Sequence, residues 1–254
     1  MKIGVTGLAA IAGSVLLCLG VPAFGQQDVT IDFTGVANTN VQALGAYAGY
    51  YTGTVNGGAQ TDFICDDYND EIFLPSESWQ ATATSFSSLV TTPGALSSTF
   101  FGNTIGLAGY AAIADLSAMM NGASVQTQAD LSAAIWYIGT IGSTNPLSLS
   151  SLDTAAQNLV TSLLGATGEF GTTTSATAAA ITELEDSSLW IYTPTGQDIS
   201  PAGDPTPQEF IGSVAVVSAP EGGAALLYLL LAMAACCGAM FFGYRHRFES
   251  RAAA

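Results

Sequence analysis

Positive charge is almost missing from this sequence. Its 254 residues carry four Lys and Arg against twenty Asp and Glu, for a formal net charge of −16. The four cations are Lys2, Arg245, Arg247 and Arg251, so the long stretch between them has none. Such a chain cannot neutralise phosphates, which excludes nucleic-acid binding. It also offers no cationic clamp for an oxyanion. Histidine is equally scarce: the only one is His246. Upstream of it, Ser-His-Asp and Cys-His catalysis and His-ligated zinc or copper are excluded. Cysteine comes next. Cys18, Cys236 and Cys237 lie in apolar terminal runs, and Cys65 stands alone between them, so the middle of the chain cannot close a disulfide on itself. Charge of either sign is low, 9% of residues, against about 25% in average proteins. Ser, Thr, Asn, Gln and Gly must supply the polarity. An apolar content of 49% argues against a solvated acidic coil.

The cations flank two apolar runs. Lys2 precedes Ile3 to Val21, and Pro22-Ala23-Phe24-Gly25 follows. A basic start, an apolar middle and small residues before the cut describe a signal peptide over residues 1–25. The second run, Gly222 to Gly243, contains no charge. As a helix it would cover about 33 Å, enough for a bilayer core. Arg245, Arg247 and Arg251 follow it and would stay in the cytoplasm. These features predict that residues 26–218 are exported and anchored by a transmembrane helix over 222–243.

Pro220-Glu221, an apolar span and an Arg cluster, in that order, resemble the PEP-CTERM sorting signal of Gram-negative bacteria. Gly222 stands where that family has its second Pro. The resemblance covers about the last 35 residues, and implies a signal made by Pro220, Glu221, Arg245, Arg247 and Arg251. It implies processing by an exosortase-type membrane enzyme and a place at the cell surface or in an extracellular matrix, with extracellular polysaccharide as a partner.

Between the runs the periodicity changes twice. Val29 to Thr34 alternates apolar and polar, as a strand does. Tyr47 to Val55 and Gln60 to Cys65 flank Asn56-Gly57-Gly58, a hairpin signal. Trp79 to Phe86 alternates weakly, and Val90 to Gly102 reads as a connection. Leu107 to Met120 reads as a buried helix. Gln126 to Ile138 reads as an amphipathic helix with Leu131, Ala134, Ile135 and Ile138 on its stripe. Ser150 and Asp153 have capping-box spacing before Leu152, Ala156, Leu159 and Leu163, a run that Gly165 stops. Thr172 to Thr182 is ambiguous. Leu189 to Tyr192 and Phe210 to Val217 read as closing strands around a Pro/Gly/Asp loop. Strands, helices, then strands predict one α+β domain, strand-rich with a central helical segment.

Phe63-Ile64-Cys65-Asp66-Asp67 and Ala133-Ala134-Ile135-Trp136-Tyr137 resemble the two motif regions of bacterial thioester domains. In those adhesins a strand Cys displaces ammonia from a helix Gln. The resemblance spans roughly residues 30 to 195 and implies a β, α, β order. Here Ser132 occupies the Gln position, four residues before Trp136, and Gln128 lies one turn earlier. Cys65 is then a buried free thiol, a reactive or intermolecularly paired one, or the partner of Gln128 in a shifted thioester.

Carboxylates are the remaining chemistry. Asp66, Asp67, Asn69, Asp70 and Glu71 form either a Ca2+ site of hard oxygen ligands or a solvated acidic loop. Ile72 stands where an EF-hand loop needs Gly. Glu77, Glu169, Glu183 and Glu185 could contribute a glycosidase pair but carry no motif. No cofactor other than Ca2+ is indicated. The combined expectation is a non-enzymatic envelope or matrix protein, structural or adhesive. A thioester-type adhesin and a carbohydrate-active enzyme are the alternatives. Unpaired acidity further predicts that salt stabilises the fold.

Overall fold

The structure, a computed structural model, describes residues 26–69, 77–165, 181–182, 184–185, 187–195, 207–213 and 233. The chain divides into two compact units, Met1–Val216 and Val217–Ala254. All described residues except Met233 belong to the first.

Strand β1 (Gln26–Val36) buries Val29, Ile31 and Phe33 and leaves the residues between them more exposed, as its alternation predicts. It pairs antiparallel with β4 (Tyr50–Val55) on one side, Ile31 opposite Val55. On the other it pairs with β6 (Ser78–Ser85), Ile31 opposite Trp79. Strand β4 turns into β5 (Gln60–Cys65) at Asn56 and Gly57, whose φ of 52° and 66° suit the mirror-image hairpin turn. With β7 (Trp190–Pro194) and β8 (Phe210–Gly212) the strands close into an antiparallel barrel, in the order β1-β4-β5-β8-β7-β6. This closure corrects the expected strand-rich α+β layout. Pairing of Gln26–Asp32 with Ser78–Thr84 is a long-range event that local periodicity does not encode.

Aromatic rings fill the barrel. Phe33 stacks on Trp79 at 4.7 Å and lies 4.6 Å from Phe210 and 5.1 Å from Phe63. Gly53 makes the room: a Cβ there would sit 2.6 Å from the Asp32 carbonyl and 3.2 Å from the Phe63 ring. Cys65 belongs to this interior cluster, as does Trp136 from the helical layer.

That layer covers one side of the barrel. It comprises α1 (Phe86–Thr91), α2 (Gly106–Met119), α3 (Val125–Thr140) and α4 (Thr154–Leu164). Ile64, Ile191 and Ile211 stand in register on β5, β7 and β8. They share a second core with Phe86, Tyr110, Leu131, Ile135 and Ile138. Helix α3 is buried on all sides from Ala129 to Thr140 rather than along one stripe, because it packs against both α2 and α4.

Other expectations shift. Helix α1, capped by Ser85 Oγ on the Ser88 amide at 3.2 Å, occupies the end of one expected strand and the start of a connection. Asp153, not Ser150, caps α4, accepting from the Ala156 amide at 2.8 Å. The run from Tyr47 is broken at Gly49, with φ 74°, into β3 (Ala46–Tyr47) and β4; β3 pairs with β2 (Gln42–Ala43). Residues 172–180 and 214–217 lie outside the described residues.

Among the described residues no helix is long and apolar enough to cross a membrane; the longest, α3, has 16 residues. Among the described residues there is thus a barrel domain and no membrane anchor, in place of the predicted membrane-anchored architecture with its export topology, surface or matrix location and sorting function. The segments that prompted them, residues 1–25 and 219–254 with Pro220, Glu221, Arg245, Arg247 and Arg251, lie outside the described residues apart from Met233.

Candidate functional site

Strand β5 ends at Cys65, where the chain turns against α3. The Trp136 indole donates to the Cys65 carbonyl at 3.0 Å. Gly139, one turn further along, lets the backbone touch the helix: a Cβ there would lie 2.4 Å from the Asp66 carbonyl. Ser132, one turn earlier, accepts at Oγ from the Gly49 amide at 2.8 Å and so holds the turn before β4. The two motif regions therefore meet, with the barrel supplying the strand and the helical layer the indole.

Cys65 is buried, and its Sγ donates to the Asp67 carbonyl at 2.8 Å. Burial pushes the thiol well above its ordinary pKa, and the charges of Asp67 and Asp66 push in the same direction. A thiol held protonated is a poor nucleophile. Gln128 lies about 12 Å before Trp136 along the helix axis. Its amide donates instead to the Ala123 carbonyl at 3.3 Å.

The acidic segment begins buried at Asp66 and Asp67 and is exposed by Asn69. Asp66 is fully buried and Asp67 nearly so. Asp67 Oδ1 accepts from the Asn69 amide at 3.0 Å, and its carbonyl also accepts from Gln208 Nε2 at 3.1 Å. Asp70 and Glu71 lie outside the described residues. Among the described residues no cluster of three or more His, Cys, Asp or Glu is placed to hold a metal ion. Glu77 is buried and Glu185 exposed, while Glu169 and Glu183 lie outside the described residues.

Asp66 instead meets an acid distant in sequence. Glu209, fully buried just before β8, accepts from Tyr110 Oη at 2.7 Å, from the Phe100 amide at 2.9 Å and from Thr193 Oγ1 at 2.5 Å. The Asp66 oxygens have no donor. Their neighbour is the Glu209 carboxylate, which favours the protonated form of Asp66. Burial raises the Asp66 pKa well above the carboxylate range, and the charges of Glu209 and Asp67 raise it further. Burial also raises Glu209, but its donors oppose the shift. Both carboxyls are thus pushed towards the protonated form, and Asp66, which lacks the donors of Glu209, is pushed further. Burial and then the ionised Glu209 keep the Tyr110 phenol protonated.

Sequence reasoning missed Glu209, Gln208, Tyr110, Thr193 and Gly139. Only the closed barrel brings residue 209 to residue 66, and a lone Glu before a short strand carries no local signal. No protein-family model, curated protein or solved structure matches the chain, so the site is defined by its own geometry: a barrel end plugged by a tryptophan, with its thiol and Asp66 pushed towards their neutral forms.

Proposed function

We propose that this domain is a non-catalytic binding module, built on a thioester-domain-like arrangement in which the internal bond is absent. The observation that carries this reading is the contact between Trp136 Nε1 and the Cys65 carbonyl, together with Ser132 at the position where the bond would need glutamine. A serine hydroxyl has no acyl group to transfer to a thiol, and this one is already used on Gly49. Cys65 is buried, protonated and bonded to its own strand end. The neighbouring acids are enclosed, with donors meeting Glu209 and with Asp66 pushed towards its protonated form. Binding through an accessible surface is what remains to such a domain.

Intact mass of the purified protein tests the reading, before and after methylamine treatment. The expected mass is that of the uncrosslinked chain, with no methylamine gained. Iodoacetamide should modify the chymotryptic peptide containing Cys65 only after denaturation. A native mass lower by one ammonia, or methylamine incorporated at Gln128, would refute it.

A further inference from the structure

Away from Cys65, a cleft of about 1020 Å3 opens between the outer face of β4, β5 and β8 and helix α2. Small-molecule pockets run to about 300–1,000 Å3, so this one has room for a ligand of more than one ring. Its floor is apolar: Ile64 and Ile211, paired across β5 and β8, with Ala114 of α2. Its walls are polar and, among the described residues, bear a single carboxylate, through Tyr50, Asp62, Ser117, Asn121, Ser187 and Ser188.

Ser117 is the most informative of these. It is 5% exposed, lines the cleft, and its Oγ has no hydrogen-bond partner. Serine within a helix commonly turns its hydroxyl onto the carbonyl four residues back; this one does not. Asn121, four residues on, lines the same cleft. Tyr50 stands diagonal to Asp62 across the β4–β5 ladder. Burial, and then the Asp62 charge, keep its phenol protonated and able to donate.

We infer that this cleft binds a short neutral saccharide, its C–H face on Tyr50 and its hydroxyls on the exposed Asp62 and Asn121. The assignment rests on reading the domain as a binding module. The lining decides the ligand class by elimination. An anion would meet Asp62 and find no cation among the described residues of the lining. A wholly apolar ligand would leave Asp62 and Asn121 unpaired, at a desolvation cost. A cation would satisfy Asp62 alone and leave the hydroxyl-rich walls unused. A polyol offers donors to the carboxylate, and both donors and acceptors to the hydroxyls and amide.

The test is calorimetric titration of the full-length protein with maltopentaose, cellopentaose and mannopentaose, and with spermidine as a cationic control, at low and high salt. One of the pentaoses should bind with an affinity that salt does not change. Asp62→Ala and Asn121→Ala should each weaken it about tenfold or more, the cost of losing a charged or bidentate hydrogen bond. Both residues are exposed, so the melting temperature should barely move. The inference is overturned if none of the three pentaoses binds, if binding survives both substitutions, or if spermidine alone binds in a salt-sensitive way. A thioester found by mass would defeat the proposed function without altering these titrations, so the two failures are distinguishable.

Discussion

Replacing Asp66 with asparagine should flatten the dependence of stability on pH. In the folded protein Asp66 keeps its proton because it is fully buried against the Glu209 carboxylate, with Asp67 beside it. In the unfolded chain it ionises near its reference pKa, about 3.9. Above that pH the native state therefore holds one proton more than the unfolded state. Stability must then fall as pH rises, by about 1.4 kcal/mol per unit for each such proton. The fall continues until the raised native pKa is passed. Glu209, also raised, adds a loss of the same sign over a lower window. The effect is read between pH 4 and pH 6, above the reference pKa, where each unit costs up to about 1.4 kcal/mol for as long as native Asp66 holds its proton. Asparagine has no proton to lose, and its amide can still donate to Glu209. Urea unfolding of both proteins across that range measures the difference directly. The mutant slope should be shallower by about one proton, and the mutant more stable at neutral pH. General repulsion among the acids tilts both curves alike, so it cancels in the comparison. Parallel curves, or an Asp66→Asn variant weaker at every pH, would refute this account of Asp66.

Two further outcomes follow from packing and charge. Gly139→Ala should cost about 3 kcal/mol, the upper range for overpacking, because the added Cβ meets a backbone carbonyl at 2.4 Å rather than a side chain that can move; thermal unfolding reads this out, and a change within error would mean that α3 is not seated on Asp66. Raising ionic strength from low to physiological should raise the melting temperature, since screening over about 10 Å at 0.1 M weakens repulsion among acids that have no cations to pair with; a flat response would count against it.

What the sequence discloses and what it hides divide along contact range. Strand β5 and the turn at Asn56-Gly57 match their expected positions, because alternation and positive φ are local properties. Helix α2 differs from its expected span by one residue at each end. Helix α1 is hidden because Phe86 continues the β6 alternation, while the cap that starts the helix is the ordinary Ser85. The cap of α4 is displaced because the Ser150–Asp153 spacing puts Asp153 at the third helical position, whereas the fold makes Asp153 itself the cap. Cys65, Ser132 and Trp136 are legible as a group through their motif order. The Asp66–Glu209 pair is not, since its members are joined only by barrel closure. The same holds for the cleft, whose walls come from β4, β5, α2 and residues 187–189.

The arrangement around Cys65 is consistent in one respect that bears on function. Every reactive group there is placed where its charged form is disfavoured or already satisfied. The thiol is buried beside two acids, Asp66 keeps its proton, and the Glu209 charge is absorbed by the Phe100 amide, Tyr110 and Thr193. A nucleophilic site needs the opposite: a thiolate stabilised by a cation, a metal or a helix N-terminus, and a path for the substrate. With Trp136 bonded over the Cys65 carbonyl and Gly139 closing on Asp66, this end of the barrel is built to hold the strand and α3 together. Recognition then has to come from a surface whose polar groups are still available to a ligand. Asp62 and Asn121, exposed on the walls of the α2 cleft, are such groups.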